Sequence, residues 1–292
     1  MIWVAGRIVP DDAVTISVAD RTFEHGLGLF ETLRTWNGRA VLLDRHLRRL
    51  RESAGILELP VHGAVYPDAD AVAALLKANA AEGDVLLRIT LSGGIKDQGS
   101  GTLWMRVAAL PASYPPDGIS ISLGAWEVSP HDPMNQHKVL NYWQRRMAYE
   151  EAQRRGFDEV LSSTSGRYWE GSRTNLFVVE GDRLRTPSTR GPLVSGVMRR
   201  LVLELARELP LAIEDDLILT RRSIGEASEV FLTNSVRGII PVRRAVPPVA
   251  RRGIPIGGGP AFEPWVWPAP GRWTRRLALL LSDWLHAGGK NA

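Results

Sequence analysis

His137-Lys138-Val139-Leu140-Asn141-Tyr142-Trp143 sets the reading of the whole chain. Lys138 is one of four lysines, with Lys77, Lys96 and Lys290, in a sequence that carries thirty-two arginines. Where positive charge alone is needed, this chain almost always writes Arg. Arginine cannot lose its proton, whereas lysine can, and only a neutral primary amine forms a Schiff base. A lysine kept in a patterned stretch at the mouth of a helix points to carbonyl chemistry; the plain alternative is a surface lysine. The residues that accompany it decide between the two, and with them the fold.

Composition narrows the field. A length of 292 residues allows two domains with substantial cores, and 44% apolar with 23% charged residues is ordinary for a soluble globular protein. There is no cysteine, which excludes disulfides, thiol nucleophiles and Cys-ligated zinc. Met1-Ile2-Trp3-Val4-Ala5-Gly6-Arg7 lacks the charged and apolar regions of a signal peptide, and no apolar run approaches the ~20 residues of a membrane helix. A cytoplasmic protein without membrane attachment is expected. A pI near 9.7 invites a nucleic-acid reading. The net charge is only +4, and the arginines are scattered from Arg7 to Arg276 with no basic run interleaved with aromatics, so no nucleic-acid partner is expected.

Periodicity gives short strands over Met1–Val9 and Val14–Val18 and another over Phe30–Trp36, closed by the hairpin pair Asn37-Gly38 with Val41-Leu42-Leu43 as partner. Asp44 is expected to cap a helix with apolar Leu47, Leu50, Ala54 and Leu57, and a second helix covers Asp70–Ala81. Strands at Val85–Leu91 and Leu103–Leu110 precede a linker at Tyr114-Pro115-Pro116-Asp117-Gly118. The domains are placed at 1–116 and 117–292. In the second, a strand at Ile119–Leu123 leads through a loop to Lys138, and a helix runs to Arg155 before Gly156. Strands follow at Glu159–Ser163, Tyr168–Val179 with an interruption, and Arg183–Thr186. Ser195-Gly196 opens a helix striped by Met198, Leu201, Val202, Leu205 and Leu209, and Arg275–His286 closes the chain as a helix. Pro247–Gly271 is the one stretch of odd composition. This order gives α/β or α+β and leaves the topology open.

Four pieces would together make a pyridoxal-phosphate site. Lys138 is the amine. Glu170, in Trp169-Glu170-Gly171-Ser172, could keep a pyridine nitrogen protonated and so make the ring an electron sink; otherwise it is a solvated strand residue. Leu193-Val194-Ser195-Gly196-Val197-Met198-Arg199 opens a helix whose free N–H groups suit a phosphate, although read alone it is only a helix start. Arg49 could grip a phosphate with its fork, or be a solvated helix residue.

These pieces, with Val18-Ala19-Asp20-Arg21-Thr22-Phe23-Glu24-His25-Gly26-Leu27-Gly28-Leu29-Phe30-Glu31-Thr32, resemble the fold-type-IV pyridoxal-phosphate enzymes, the class-IV aminotransferase family. Thr22 and Leu27 replace the usual Gly and Asp of its opening signature. The likeness continues through His46-x-x-Arg49-Leu50, Lys138…Asn141, Gly156-Phe157-Asp158-Glu159, Glu170-Gly171-Ser172…Asn175-Leu176-Phe177, Gly196-Val197-Met198-Arg199 and Glu229-Val230-Phe231-Leu232-Thr233-Asn234, covering residues 1 to 245. Residues 247–271, with Trp265-Val266-Trp267, depart from it as an inserted loop at a rim or subunit contact.

The resemblance implies a small α/β domain followed by a larger pseudo-barrel domain, usually a homodimer, with pyridoxal 5'-phosphate between the domains. It makes Lys138 the Schiff-base lysine and Glu170 the pyridine partner, with Arg49, the amides of Val197 and Met198, and Ser235 on the phosphate. The substrate is then a small amine or amino-acid-like molecule. Met198 and the run Asn234-Ser235-Val236-Arg237-Gly238-Ile239-Ile240-Pro241-Val242 resemble the 4-amino-4-deoxychorismate lyases, which release pyruvate and 4-aminobenzoate for folate synthesis. Tyr142 leans instead to aminotransferases of branched-chain or D-amino acids. Asn234 could hydrogen-bond the substrate. Arg106 could meet its carboxylate or be a structural ion-pair residue. A non-catalytic or nucleic-acid-binding protein on the same fold is the remote reading, and retention of Lys138 and Glu170 argues against it.

Overall fold

In the computed structural model, which describes residues 1–99, 101–246 and 263–289, Ile2–Val4 (β1) and Arg7–Val9 (β2) fold back on each other at Ala5-Gly6, where both φ angles are positive. Val14–Val18 forms no strand. Val18 lies exposed, so the segment gains no buried face by pairing. Asp20 instead caps a one-turn helix, Arg21–His25 (α1), by accepting the Thr22 amide. Gly28–Trp36 (β3) turns at Asn37-Gly38, both at positive φ as a tight hairpin requires, into Arg39–Ala40 (β4). The partner strand expected at Val41–Leu43 does not form, because Leu42 adopts φ 56° and launches Leu43–Ile56 (α2). Asp44 thus lies in the first turn rather than at the cap. Asp68 caps Ala69–Ala78 (α3), and Val85–Ser92 (β5) and Leu103–Ala109 (β6) complete a six-stranded sheet in the order β2-β1-β6-β5-β3-β4, antiparallel throughout. Leu47, Leu50 and Ala54 of α2 and Val72 and Leu75 of α3 pack with Leu33, Leu87, Ile89 and Met105 into one core.

The second sheet is built from Ile119–Glu127 (β7), Glu159–Thr164 (β8), Arg167–Gly171 (β9), Asn175–Glu180 (β10), Arg183–Pro187 (β11), Ala212–Leu217 (β12), Leu219–Thr220 (β13), Glu229–Asn234 (β14), Gly238–Val246 (β15) and Trp265–Val266 (β16). Its helices are Trp143–Arg154 (α4), Val197–Ala206 (α5), Arg221–Gly225 (α6) and Arg272–His286 (α7). The path runs β12-β11-β10-β14-β15-β7-β8-β9-β13, and β9 also pairs with β10, which closes a ring of six strands. The closing pair is Asn175↔Glu170. Inside the ring lie the cross-strand rows Leu176, Leu232, Ile240 and Val178, Val230, Val242. On the other face of these strands Phe177 and Phe231 stack, ring centroids 4.9 Å apart.

Three departures from the sequence pattern have local causes. Strand β15 is masked by Pro241, which has no N–H to pair, and by a register shift against β7 between Val242 and Arg244. Strand β12 reads Ala-Ile-Glu-Asp-Asp-Leu, an acidic sheet edge with no apolar alternation. Helix α7 starts at Arg272, earlier than its periodicity predicts, because the buried Glu229 accepts the Trp273 and Thr274 amides at 2.8 Å each. Of the odd segment 247–271, residues 247–262 lie outside the described residues. Trp265 and Val266 pair with β15, and Trp267 is buried with its indole N–H on the Ala227 carbonyl.

The described residues divide into two units. Unit 1 holds Met1–Ala112, His137–Asn141 and residues 288–289; unit 2 holds Ser113–Gln136 and Tyr142–Ala287. Among the described residues, no helix is long and apolar enough to cross a membrane.

Candidate active site

In unit 1 the lysine is fixed through its backbone. The Phe30 amide donates to the Lys138 carbonyl and the Leu140 amide to the Gly28 carbonyl, each at 2.9 Å, with Leu29 bridging Val139 antiparallel. Residues 137–141 are therefore extended along β3 rather than helical. Gly28 permits this: at φ 142° a Cβ there would lie 2.6 Å from both Leu140 Cδ1 and the Leu91 carbonyl oxygen. Beside the lysine, the buried His137 ring meets Ser53 Oγ on α2 at 3.0 Å. Lys138 Nζ stands 4.4 Å from the Phe30 ring centroid, and the Arg88 guanidinium 3.9 Å from the same ring.

Beneath β3 lies a buried ionic group. Arg49 Nε and Nη2 donate to Glu31 Oε1 and Oε2 at 2.8 and 2.6 Å, a bidentate grip. His46 Nδ1 meets Glu31 Oε2 at 2.6 Å. Burial alone would raise the Glu31 pKa, but Arg49 and His46 draw it down to about 2. Burial holds His46 below its ordinary range in spite of Glu31, so the imidazole is neutral at pH 7. A carboxylate only accepts, so Nδ1 carries the proton; Nε2 is buried without a hydrogen-bond partner. Arg49, expected on a phosphate, thus has its fork on Glu31. Arg106, expected at a substrate carboxylate, is exposed and stands opposite Arg88 in the cross-strand row Thr32–Arg88–Arg106. Arg88 itself was not singled out in the sequence, where one arginine in the strand run Val85–Leu91 carries no signal.

In unit 2, Glu170 is 3% exposed, so the solvated-strand reading does not hold. Its Oε1 accepts Arg145 Nη2 at 2.5 Å; its Oε2 accepts the Val194 amide at 3.1 Å and Asn175 Nδ2 at 3.3 Å. Asn175 Nδ2 also donates to the Val194 carbonyl at 2.9 Å. The barrel-closing carboxylate is therefore tied directly to the turn that starts α5. At that start Gly196 is the N-cap with no side-chain cap, and Val197 and Met198 are buried in the first turn. Thr233 lies opposite Asn175 in the row Glu170–Asn175–Thr233, and its Oγ1 is buried with no hydrogen-bond partner.

A second carboxylate shapes the intervening turn. Glu159 accepts the Ser172 amide and hydroxyl at 3.0 and 2.6 Å, and the Arg173 amide and Thr174 hydroxyl at 3.3 and 3.2 Å. Tyr142 donates its hydroxyl to the Ser172 carbonyl, and burial pushes its pKa up to about 12. Asn234 spends its side-chain oxygen on the Val236 and Arg237 amides, forming the β14–β15 turn that carries Ser235. An uncapped helix start, a buried carboxylate paired with arginine and an unpartnered hydroxyl fit an anionic aromatic cofactor. Unit 2 thus gathers Glu170, Val197 and Met198, with Asn234 and Ser235 in the turn that follows Thr233; unit 1 holds Lys138, Arg49 and Arg106. Arg145 and Glu159 were missed because they bind partners outside their own elements.

Residues 28–245 match the family model described as "Amino-transferase class IV". The chain is 28% identical over 250 residues to a putative branched-chain-amino-acid aminotransferase of Methanocaldococcus jannaschii, covering 82% of this chain and 86% of that one. It is equally 28% identical over 263 residues to the aminodeoxychorismate lyase of Bacillus subtilis, covering 82% and 85%. In fold it is similar to a hypothetical aminotransferase from Mycobacterium tuberculosis in its PLP-bound form, with TM-score 0.78, 23% identity and coverage of 97% of each chain.

Proposed function

This chain belongs to the class IV amino-transferase family, whose members use pyridoxal phosphate, and on that premise we propose that it is a 4-amino-4-deoxychorismate lyase. The observation that carries the choice is the Asn234 turn. Its side chain locks the amides of Val236 and Arg237, and Arg237 lies 3.9 Å over the Tyr114 ring. The sequence that builds this turn, Asn234-Ser235 through Gly238-Ile239 to Pro241-Val242, is the lyase-like run, and Met198 lies in the first turn of the helix that follows Glu170's partner turn. The first relative named above and Tyr142 favour transamination, which is the second reading.

Bound pyridoxal phosphate would supply an electron sink for the carbon that bears the substrate amine. Lys138 would supply the primary amine that holds the cofactor, and in its neutral form could take the proton from that carbon. Glu170, held at both oxygens, would face the pyridine nitrogen. The amides of Val197 and Met198, with Ser235 and Arg49, would hold the phosphate. Asn234 and Arg106 serve the substrate. The same reading makes the protein a cytoplasmic homodimer that takes a small amine-bearing molecule.

Incubation of the loaded protein with 4-amino-4-deoxychorismate is expected to release pyruvate and 4-aminobenzoate in equal amounts. No release, with amino transfer from branched-chain or D-amino acids, would give the case to the aminotransferase reading. A second expectation tests the cradle. In Gly196→Ala the new Cβ would lie 1.8 Å from Asn175 Oδ1, so Asn175 must leave Glu170 and Val194. Losing hydrogen bonds to a charged group costs about 1.5–3 kcal/mol, or roughly tenfold to a hundredfold in cofactor affinity. Titration of the apoprotein with pyridoxal phosphate reads this directly, and unchanged affinity would take Gly196 out of the cradle.

A further inference from the structure

Arg145 is the third residue of α4, and its guanidinium reaches Glu170 Oε1 at 2.5 Å. Both side chains are withdrawn from solvent, 12% and 4% exposed. The guanidinium also lies 5.0 Å from the Trp126 ring and 5.8 Å from the Tyr142 ring. The other oxygen, Oε2, goes to the α5 turn through Val194 and Asn175. Each oxygen thus has a separate task. One anchors the carboxylate to the turn, and the other shares its negative charge with a permanent cation.

Resting on the reading that Glu170 faces the pyridine nitrogen, we propose that Arg145 is a positioning residue that sets how firmly that nitrogen is protonated. A carboxylate that stands alone against a ring nitrogen gives its whole charge to the pyridinium. One already paired with guanidinium gives less, because the cation repels the second positive charge through the shared anion. Burial strengthens the effect, since little water screens the three groups. Arginine suits the role because it keeps its charge at every working pH and its planar fork fixes the carboxylate plane. Its burial opposes its own charge, and Glu170, with Tyr142 and Glu159, outweighs that penalty, so Arg145 holds its proton more tightly than an ordinary arginine. The structural alternative is an ion pair that merely fastens α4 to β9. That alternative moves stability and leaves the nitrogen alone.

The test uses the holoenzyme loaded with pyridoxal phosphate carrying ¹⁵N in the ring, and follows the nitrogen shift against pH. The visible absorbance of the bound cofactor is checked first. Its absence in the wild type would sink the cofactor reading itself, whatever Arg145 does. In Arg145→Met the nitrogen is expected to keep its proton to a pH at least about one unit higher than in the wild type, the scale of one removed neighbouring charge. Arg145→Lys, which restores the charge, is expected to return the titration toward wild type. Should the methionine variant fail to fold, Arg145→Gln carries the same expectation with a similar length and no charge. Superimposable nitrogen titrations in the neutral variant and the wild type would overturn the proposal, and so would a lysine variant that behaves like the neutral one.

Discussion

Lys138→Ala is expected to abolish both turnover and the imine absorbance of bound pyridoxal phosphate, while leaving the protein folded. The fold is spared because the segment is held through its backbone: the Lys138 carbonyl accepts the Phe30 amide, and the Leu140 amide meets Gly28. None of these bonds involves the lysine side chain. Turnover is not spared, since the amine serves as both attachment and base, and loss of a positioned base alone costs about 10²–10⁴-fold. Lys138→Arg sharpens the test. Arginine would keep a cation over the Phe30 ring, where Nζ now stands 4.4 Å from the centroid, yet it cannot shed a proton. Both variants should lack the imine band and turnover, with unchanged circular dichroism. Full activity in either would remove Lys138 from the chemistry.

Glu31→Gln is expected to destabilise unit 1, because it removes the charge that a largely buried arginine grips with two donors. Arg49 is only 16% exposed, and its Nε and Nη2 both donate to Glu31. Removing one partner of a buried pair costs about 3–5 kcal/mol. The same group predicts acid sensitivity. Glu31 has its pKa lowered from 4.5 to about 2 in the fold, so its contribution is complete above 4.5 and is lost as pH falls through about 2. His46 is also lowered, from 6.5, so the unfolded chain takes up a proton that the fold refuses, and stability drops as pH falls below 6.5. Urea midpoints measured from pH 7 to pH 3 should decline in both windows. In Glu31→Gln the limb below 4.5 should flatten. A wild-type midpoint that stays level over the whole range would contradict this account.

What could be read in the sequence was local. The turn at Asn37-Gly38, the α5 stripe from Met198 to Leu205 and the chemical oddity of Lys138 each depend on a few neighbouring residues, and the turn and the helix form where those residues lie, although the helix stops at Ala206, short of Leu209. Glu170 could be picked out as a carboxylate next to a Gly-Ser turn. Its burial could not, because burial comes from β9 meeting β10 and from a turn twenty-four residues on. Arg145 sits in Gln144-Arg145-Arg146, which reads as any solvated helix face, and its partner is twenty-five residues away. Arg49 looked solvated for the same reason, since only the fold sets it against Glu31. Val14–Val18 shows the opposite failure: an alternating pattern is worth a strand only where an edge and a core are there to receive it.

The five residues His137–Asn141 have a consequence for how the chain can be cut into pieces. Their neighbours on both sides belong to unit 2, yet they lie along β3 of unit 1. A fragment that stops at Ala112 would carry the first sheet with the Phe30 amide and the Gly28 carbonyl without these partners, and it would lack the lysine. A fragment meant to reproduce the first unit must therefore run on through Asn141, far past the end of its last strand.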